Sequence, residues 1–428
     1  MLSQRGRRKA DEPLRPDLDF LSQASENPYA PDNTTGAIAL CIAENLLQWD
    51  AMRDKLQAIA RDQPWPEWMA AYTQLGGAPD FREAVAGFVS RHIAGQPLAA
   101  DHFCGSAGAT AVVEVSAMCL GDAGDYAVFP APAYQAYLPD IQNKAGLLRH
   151  DITHYARPFG PEEHPLSLRE LDTARETLGT RFRMLVLTQP DNPTGAIYGE
   201  AQLREIAEWC IRHQIHLIVN EIYALSRFDR QTAGLEHTAP FVSFLPYLEQ
   251  RDSPYLHWWY SFSKDFGISG FRVGLLYSRN ETFRQAYGNY NAPHQISNPT
   301  QWLLARLLED DAWVTAFQER NARLLTAAYR TVTDALDELK VPYTPARGSL
   351  FVWADFSGYL PERNREAAEA LWAAIFTETG VLLTAPGGLG QPEAGWFRIV
   401  YSGVSTAALA EAMRRLSQFL NVRRGSAT

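Results

Sequence analysis

Short apolar runs alternate with amphipathic segments between about residues 100 and 280. The runs Phe182–Thr188 and Ile215–Val219 are apolar on both faces, and Ala201–Gln214 between them has apolar residues at helical spacing. A strand that is apolar on both faces has to be covered on both faces. The alternation therefore predicts an α/β fold in which a mostly parallel sheet lies between helices. The other predicted strands are Asp125–Phe129, Gly146–Ile152, Leu256–Ser261 and Phe271–Ser278.

A second and smaller pattern of the same kind follows a long helical stretch. Helical spacing runs from Pro299 to about Lys340, with a break predicted near Asp310–Asp311. Since no long linker separates the two patterns, we expect two domains that share an interface, where a cleft would hold a small ligand. The smaller α/β domain is predicted from strand Leu350–Asp355, helix Arg365–Thr379, strands Val381–Thr384 and Trp396–Ser402, and helix Ala407–Leu420.

The chain has 428 residues, which is enough for two or three domains. Its first residues carry a basic cluster that no apolar stretch follows, so they predict a flexible arm rather than a signal peptide. We divide the chain into an arm over 1–22, an N-terminal segment over 23–70 that packs with the small domain, a large domain over 71–298, and a linking helix with the small C-terminal domain over 299–428.

The charge balance narrows the classes of partner. Lysine and arginine number 39 against 49 aspartates and glutamates, which gives a net charge of −10. This argues against nucleic acid or an anionic membrane surface as a partner, while it allows a local basic pocket for a phosphate. No apolar run reaches the ~18 residues that span a bilayer. The scattered cysteines predict neither a metal site nor disulfides and favour a reduced, cytoplasmic compartment. They are Cys41, Cys104, Cys119 and Cys210.

The segment at residues 261–274, SFSKDFGISGFRVG, carries the strongest chemical signal. Lys264 lies directly after the apolar run Leu256–Ser261, and Arg272 follows eight residues later between a phenylalanine and a valine. Lysine is rarely buried without a reason, and one reason is a Schiff base, which needs a desolvated, reactive amine beside a carbonyl. The alternative is an exposed lysine at the end of a strand.

Three further segments are informative mainly in combination. Asp191–Gly195 (DNPTG) follows one buried run and Asn220–Tyr223 (NEIY) follows the next, and each alone is compatible with an ordinary turn. Phe103–Thr110 is rich in small residues and is predicted as a loop that leads into an amphipathic helix. Free backbone N–H groups at such a helix N-terminus suit a phosphate.

In this order, the segments resemble the fold-type-I pyridoxal-phosphate enzymes, the aspartate-aminotransferase superfamily, over about residues 24–420. The strings ENPYAP (26–31), IALCIAEN (38–45) and GWFR (395–398) and the segment at 261–274 are similar to the 1-aminocyclopropane-1-carboxylate synthase branch. The resemblance implies pyridoxal 5'-phosphate as cofactor, bound by the large domain. It also implies a mostly parallel seven-stranded sheet in that domain and a homodimer with shared active sites.

The resemblance implies roles for the residues that would hold the cofactor. Lys264 would form the Schiff base and later move the Cα proton. Tyr134, in the string PAPAY, would stack on the pyridine ring, with a core tyrosine as the alternative. Asn192 and Tyr223 would hydrogen-bond the phenolic oxygen of the cofactor. The phosphate would be held by Gly108, Ala109, Thr110, Ser261 and Arg272.

Two more residues are implied on the substrate side of the site. Arg398 would hold the α-carboxylate of an amino acid with both arms of its guanidinium, and Asn192 would also contact the substrate. Glu44 would lie near the substrate side chain, where a carboxylate favours a sulfonium such as that of S-adenosylmethionine. A glutamate at a helix end or on the surface is the alternative. Lys264, Tyr134 and Glu44 are thus the predicted catalytic residues.

Two positions depart from the pattern of the family. Asn220 stands where the family has an aspartate whose charge keeps the pyridine nitrogen protonated, so the cofactor should be a weaker electron sink here. The neighbouring Glu221 should point to the opposite face of the strand. Leu75 stands where the synthase branch has a tyrosine that reaches into the neighbouring subunit, and Tyr72 lies three residues away. This loss argues against plain cyclopropane formation.

We therefore expect an enzyme that acts on S-adenosylmethionine or a similar amino acid with a γ-leaving group. Removal of the Cα proton would be followed by γ-elimination or γ-replacement. Replacement includes carbon–carbon bond formation or annulation with a second small substrate such as a nicotinamide nucleotide. A class I/II aminotransferase that uses a 2-oxo acid and a cofactor-binding protein with little catalysis are the alternatives.

Overall fold

The computed structural model describes residues 1–12, 17–153, 166–235, 240–390 and 393–425. The strands are β1 Ile38–Leu40, β2 Phe103–Ala107, β3 Tyr126–Ala131, β4 Leu148–Thr153, β5 Phe182–Thr188, β6 His216–Asn220, β7 Leu256–Ser261, β8 Val273–Ser278, β9 Tyr343–Thr344, β10 Phe351–Asp355, β11 Val381–Leu383 and β12 Trp396–Val400. The α-helices are α1 Gln4–Asp11, α2 Leu18–Glu26, α3 Trp49–Asp62, α4 Pro79–Val89, α5 Ala109–Leu120, α6 Tyr137–Gln142, α7 Leu168–Leu178, α8 Glu200–His213, α9 Arg230–Ala233, α10 Leu245–Arg251, α11 Phe262–Asp265, α12 Glu281–Asn291, α13 Asn298–Glu309, α14 Asp311–Glu338, α15 Arg365–Thr379 and α16 Thr406–Gly425.

A seven-stranded sheet forms the large domain in the order β2-β8-β7-β6-β5-β3-β4. Strands β3 to β7 pair in parallel, whereas β8 is antiparallel to both β7 and β2. The predicted mostly parallel α/β sheet is therefore confirmed. The seventh strand is β2, because the small residues predicted as a loop at Phe103–Thr110 are a strand up to Ala107. A Cβ at Gly105 would lie 2.8 Å from Ile296, so close packing explains the small residues.

Alternate residues of the central strands enter two different cores. In β5, Leu185 and Leu187 pack with helices α4, α7, α8, α10 and α13. Met184 and Val186 pack with α5, α6 and α12 on the other face. The period of two along a strand thus explains why the run is apolar throughout, since each face buries its own set of side chains.

The small domain combines the C-terminal elements with part of the N-terminal segment. Strands β12, β10 and β9 form an antiparallel sheet, and β1 pairs in parallel with β11. Their core is closed by α14, α15 and α16. The predicted break in the long helix lies at Asp310, whose side chain accepts a hydrogen bond from Trp313 N (3.1 Å) and thereby caps α14.

The segment predicted as a flexible arm contains helical structure. Helix α1 lies within it, and α2 begins at Leu18. Phe20 packs against Trp372 and Phe376 of α15, with ring centroids 4.9 and 4.8 Å apart. Contact with the small domain therefore orders the end of this segment.

Over the residues that the structure describes, every helix is too short or too polar to cross a bilayer. The four cysteines are free thiols.

Candidate active site

A cavity of about 830 Å³ lies between the large domain and the small domain. Its wall includes residues 41–43 of the N-terminal segment, residues 386–388 after β11, and side chains at the carboxyl ends of the parallel strands. That edge of an α/β sheet is where ligands usually bind. The predicted site residues that line it are Ala109, Thr110, Tyr134, Asn192, Asn220, Tyr223, Lys264, Arg272 and Arg398.

Lys264 lies in the single turn of α11, directly after β7. It is half-buried, and its Nζ donates a hydrogen bond to the carbonyl oxygen of Ala43 at 2.6 Å. Burial, and then the nearby charge of Arg398, lower the pKa of Lys264 to about 8, whereas Glu44 acts in the opposite direction. About a tenth of the amine is thus in the neutral, nucleophilic form at pH 7, and most of it is neutral above about pH 8.

Asp265, the residue after Lys264, attaches the turn of α11 to the protein interior by hydrogen bonds. Its carboxylate accepts hydrogen bonds from Leu225 N (3.0 Å), Ser226 Oγ (2.7 Å) and the Tyr260 hydroxyl (3.0 Å). Burial raises the pKa of Asp265 to about 7. Because these partners belong to the protein interior, they fix the direction in which Lys264 enters the cavity.

The N-terminus of α5 and Arg272 together form a cradle for an anion. Gly108 caps α5 with φ +92°, and a Cβ added there would clash with the Arg272 guanidinium. Arg272 Nη1 donates to Ser269 O at 3.0 Å, which holds the guanidinium beside the helix. Free N–H groups at a helix N-terminus next to a planar cation are suited to a phosphate.

The serines of the segment at residues 261–274 differ in whether they line the cavity. Ser261 Oγ donates to Val273 O at 2.7 Å and contacts Ser263 Oγ at 2.8 Å, and Ser261 does not line the cavity. Ser263 and Ser269, which the sequence did not single out, do line it. This segment therefore presents Ser263 and Ser269 to the cavity, with Ser261 behind Ser263.

Arg398 is 4% exposed and lies on β12 in the small domain. Its guanidinium donates to Asn192 Oδ1 (2.9 Å), Thr384 Oγ1 (3.2 Å) and the carbonyl oxygen of Cys41 (3.2 Å). The Phe351 ring lies beneath it at 5.2 Å. These contacts fix the plane of the guanidinium at the cavity wall, and a guanidinium in a fixed plane can bind a carboxylate through two parallel hydrogen bonds.

Asn192 connects the substrate side of the cavity with the sheet. Its Oδ1 accepts from Arg398, while its Nδ2 donates to the Tyr223 hydroxyl at 3.4 Å. Burial raises the pKa of Tyr223, so its hydroxyl stays protonated. Asn192 and Tyr223 thus present neutral polar groups to the cavity, as the resemblance implies.

Asn220 is the last residue of β6, and both the NH₂ group and the oxygen of its side-chain amide form hydrogen bonds. Its Nδ2 donates to the Tyr137 hydroxyl at 2.8 Å, and its Oδ1 accepts from Ile222 N at 3.2 Å. The Tyr137 hydroxyl also lies 2.9 Å from Thr188 Oγ1. Glu221 points away, as expected for the next residue of a strand, and accepts hydrogen bonds from groups that include Trp258 Nε1 at 2.8 Å.

Tyr134 and Glu44 are less closely integrated into the cavity. Tyr134 is 37% exposed and its ring meets that of Tyr137 edge-on at 5.5 Å. Glu44 lines a second, open cavity of about 870 Å³, which shares Ser269 and Arg272 with the first. The structure therefore places Glu44 beside the cavity that contains Lys264 rather than in its wall.

Sequence reasoning missed several residues of the cavity wall. Tyr137 and Thr188 line it, together with Lys9 and Glu12 of the N-terminal arm. Tyr137 could have been found, because it lies one helical turn after Tyr134. The arm offered no comparable signal.

The fold and this set of side chains define a pyridoxal-phosphate enzyme of fold type I. Residues 37–416 match the family model "Aminotransferase class I and II", and the chain belongs to that family. It is similar to 1-aminocyclopropane-1-carboxylate synthase 1 of Oryza sativa subsp. indica, with 30% identity over 414 residues that cover 92% of this chain and 83% of that protein. The 1-aminocyclopropane-1-carboxylate synthase of Glycine max is 28% identical over 425 residues, which cover 95% of this chain and 85% of that protein.

A solved structure supports the fold independently of these sequences. A double mutant of the Thermus thermophilus aspartate aminotransferase matches with a TM-score of 0.76 at 20% identity, covering 98% of this chain and 99% of that one. At this identity the likeness concerns the fold alone.

The cofactor of this family is pyridoxal 5'-phosphate, and the cavity fits it. The cradle beside Gly108 and Arg272 matches the charge of a phosphate, and the amine of Lys264 matches an aldehyde. Asn192 and Tyr223 offer neutral hydrogen-bonding groups to a polar ring substituent. When bound, the cofactor supplies the electron-withdrawing group that makes an amino-acid Cα proton removable.

Proposed function

We propose that the enzyme acts on S-adenosylmethionine or a similar amino acid with a leaving group at Cγ, by γ-elimination or γ-replacement. The observation that carries the amino-acid part is that Lys264 and Arg398 line one cavity. The choice of substrate is supported by the similarity to 1-aminocyclopropane-1-carboxylate synthases over 92% or more of the chain.

The chain's own residues then have distinct tasks. Arg398 binds the α-carboxylate and orients the amino acid, because Asn192, Thr384 and Cys41 hold its guanidinium in one plane. Lys264, as the neutral amine, accepts the Cα proton at Nζ. Glu44, in the adjoining cavity, attracts a cationic group such as a sulfonium on the substrate side chain.

We further propose that the four-carbon unit is passed to a second small substrate rather than closed into a ring. The support is Leu75, which replaces the tyrosine of the synthase branch. Tyr72, three residues away, is fully exposed in a single chain and lines a different cavity from Lys264.

The test is to incubate the cofactor-loaded enzyme with S-adenosylmethionine, alone and with candidate acceptors such as a nicotinamide nucleotide, and to measure methylthioadenosine. We expect its release, and we expect Lys264→Ala to abolish it. Release without an acceptor would indicate elimination or cyclisation, and the amino-acid product would distinguish these. No release under any of these conditions would overturn the proposal.

Transamination is the second candidate, and the match to the aminotransferase family model favours it. It predicts that ordinary amino acids remove the colour of the bound cofactor and that a 2-oxo acid restores it. If this cycle runs at a rate similar to or above that of methylthioadenosine release, transamination is the main activity.

We also propose a homodimer whose two sites are shared. The open cavity beside the site is lined by the apolar side chains of Leu46 and Trp49, which are 44% and 40% exposed in a single chain. Such surfaces mark interaction sites. Light scattering should give twice the 47.9 kDa mass of one chain, and a monomer at working concentration would contradict the proposal.

A further inference from the structure

We propose that Asn220 donates a hydrogen bond from Nδ2 to the pyridine nitrogen of the cofactor, and that Tyr137 is the positioning residue that sets this direction. The ring nitrogen is then an acceptor and carries no proton. This inference concerns the cofactor and does not depend on the substrate proposed above.

The orientation of the Asn220 amide is fixed by its two hydrogen-bonding partners. Ile222 N–H donates to Asn220 Oδ1 at 3.2 Å, and the opposite end of the amide lies 2.8 Å from the Tyr137 hydroxyl. Rotating the amide by half a turn would place its NH₂ group against the Ile222 N–H, so that two donors would face each other. The backbone therefore fixes Nδ2, with its two hydrogens, on the side of Tyr137.

The two hydrogens of Nδ2 have different partners. The Tyr137 hydroxyl oxygen accepts one from Asn220 Nδ2 at 2.8 Å and also lies 2.9 Å from Thr188 Oγ1. Burial raises the pKa of Tyr137 to about 12, so the hydroxyl keeps its proton at neutral pH. Only one hydrogen of Nδ2 is used by Tyr137, and the second is available to an acceptor in the cavity that Asn220 lines.

The charge around the amide comes from several side chains. The charged and titratable groups on the surrounding elements include Asp140, Asp191, Glu221, Tyr134, Tyr223, Lys264, Arg272 and Arg398. Asp191 bonds to Thr194 Oγ1 at 2.6 Å and Glu221 to Ser243 Oγ at 2.6 Å, and neither carboxylate lines the cavity. Asp140 does line it and serves as the matched control below.

The partner of the pyridine nitrogen affects the pKa of that nitrogen. An anionic partner raises the pKa of a pyridine nitrogen, whereas an N–H donor binds the unprotonated form and lowers it. With Asn220 as donor, the cofactor draws electrons less strongly than in relatives with an aspartate there. Removal of the Cα proton must then depend more on Lys264, and the later steps more on the leaving group of the substrate.

The experiment uses the full chain loaded with cofactor labelled with ¹⁵N in the ring, and reads the ¹⁵N chemical shift without substrate. We expect the wild-type signal at the position of an unprotonated pyridine from mildly acidic to mildly alkaline pH. Asn220→Asp should move it towards the pyridinium position, while Asp140→Asn, which removes a carboxylate from the same cavity, should leave it unchanged.

A wild-type signal at the pyridinium position would overturn the inference, as would Asn220→Asp with an unmoved signal or Asp140→Asn with a moved one. If Asn220→Asp fails to fold, the wild-type measurement alone decides. Tyr137→Phe tests the positioning role. It should weaken cofactor binding about fivefold, the effect of one lost hydrogen bond, and change the ¹⁵N shift. If neither changes, Tyr137 does not position Asn220.

Discussion

Lys264 shows how a single residue is tuned by its surroundings. Burial and the nearby charge of Arg398 lower the pKa of its amine and Glu44 raises it, and the net pKa is about 8. The amine is then charged below about pH 8 and neutral above it. Capture of the cofactor aldehyde requires the neutral form, so the rate should depend on pH in this range.

We predict that the rate at which the apoprotein gains colour with cofactor rises with pH and levels off above about pH 8. Arg398→Gln removes a positive neighbour and should move the profile to higher pH. Glu44→Gln removes a negative neighbour and should move it to lower pH. Stopped-flow absorbance measures both, and shifts in the same direction would contradict this account of the lysine.

Arg398 provides a second prediction. Arg398→Lys keeps the charge but loses the paired hydrogen bonds to a carboxylate, which should cost about 2 kcal/mol of binding. Kd values for amino acids, read from the cofactor spectrum, would measure the loss. Arg365→Lys is the control, because Arg365 lines the same cavity but is mostly exposed and pairs with Glu369 at 2.7 Å. Equal losses in both variants would contradict the assigned role.

At the scale of elements, the N-terminus of α5 depends on one glycine. Gly108 and Gly124 have almost the same φ, +92° and +91°, but of these two only Gly108 has a neighbour within 4 Å of an added Cβ. We predict that Gly108→Ala and Gly124→Ala each lose about 1 kcal/mol or more of folding stability through backbone strain. Only Gly108→Ala should also lose cofactor affinity, because it displaces Arg272. Titration with cofactor and urea unfolding separate the two effects.

Strands β6 and β7 carry a buried histidine pair away from the site. His216 Nδ1 and His257 Nε2 are 3.0 Å apart, and burial lowers the pKa of His216 to about 4 and that of His257 well below its ordinary value. Histidines of the unfolded chain bind protons below about pH 6.5, whereas the buried pair stays neutral to lower pH. The unfolded state is therefore favoured, and the free energy of unfolding falls, as pH drops from about 6.5 towards 4.

We predict that wild type loses stability relative to His257→Gln as pH falls over this window, by up to about 1.4 kcal/mol per pH unit, the limit for the one histidine that the variant removes. Buried carboxyls such as Asp265 make the fold more stable as pH falls, and this contribution cancels because both proteins contain them. Urea unfolding at several pH values measures the difference in the free energy of unfolding between the two proteins. A difference that is independent of pH would contradict the assignment.

The elements also show what a sequence pattern can and cannot predict. Phe182–Thr188 and Leu256–Ser261 form where predicted, because a short continuous apolar run indicates a buried strand. Arg365–Thr379 does so because its apolar residues recur at helical spacing. The strand β2 was predicted as a loop, since its small residues reflect contacts with Phe81 and Ile296 that are distant in sequence.

Within the site, the sequence motifs predict some of the cavity residues and miss others. The residues after strand ends were predicted from motifs and line one cavity. Ser263 and Tyr137 were missed, because only tertiary packing decides which hydroxyl of a turn or short helix reaches a cavity. The role of Glu44 stays a prediction, since a single chain places it in the neighbouring cavity.

At the scale of the whole molecule, the site depends on two domains that meet. Lys264 and the cradle beside Arg272 belong to the large sheet, whereas Arg398 comes from β12 of the small domain. The N-terminal segment joins them, because β1 pairs with β11 and Ala43 accepts the hydrogen bond of Lys264. Small shifts between the domains would therefore change the distance between Arg398, which we propose binds the carboxylate, and Lys264, which we propose moves the proton.

The central claim is that Lys264 carries the cofactor. It is tested by loading the purified protein with pyridoxal phosphate, reducing it with borohydride and measuring peptide masses. We predict a coloured protein whose peptide containing Lys264 gains the mass of the reduced cofactor, and no such gain at that peptide in Lys264→Ala. A colourless protein, or a modification at another lysine with Lys264 unchanged, would contradict the account.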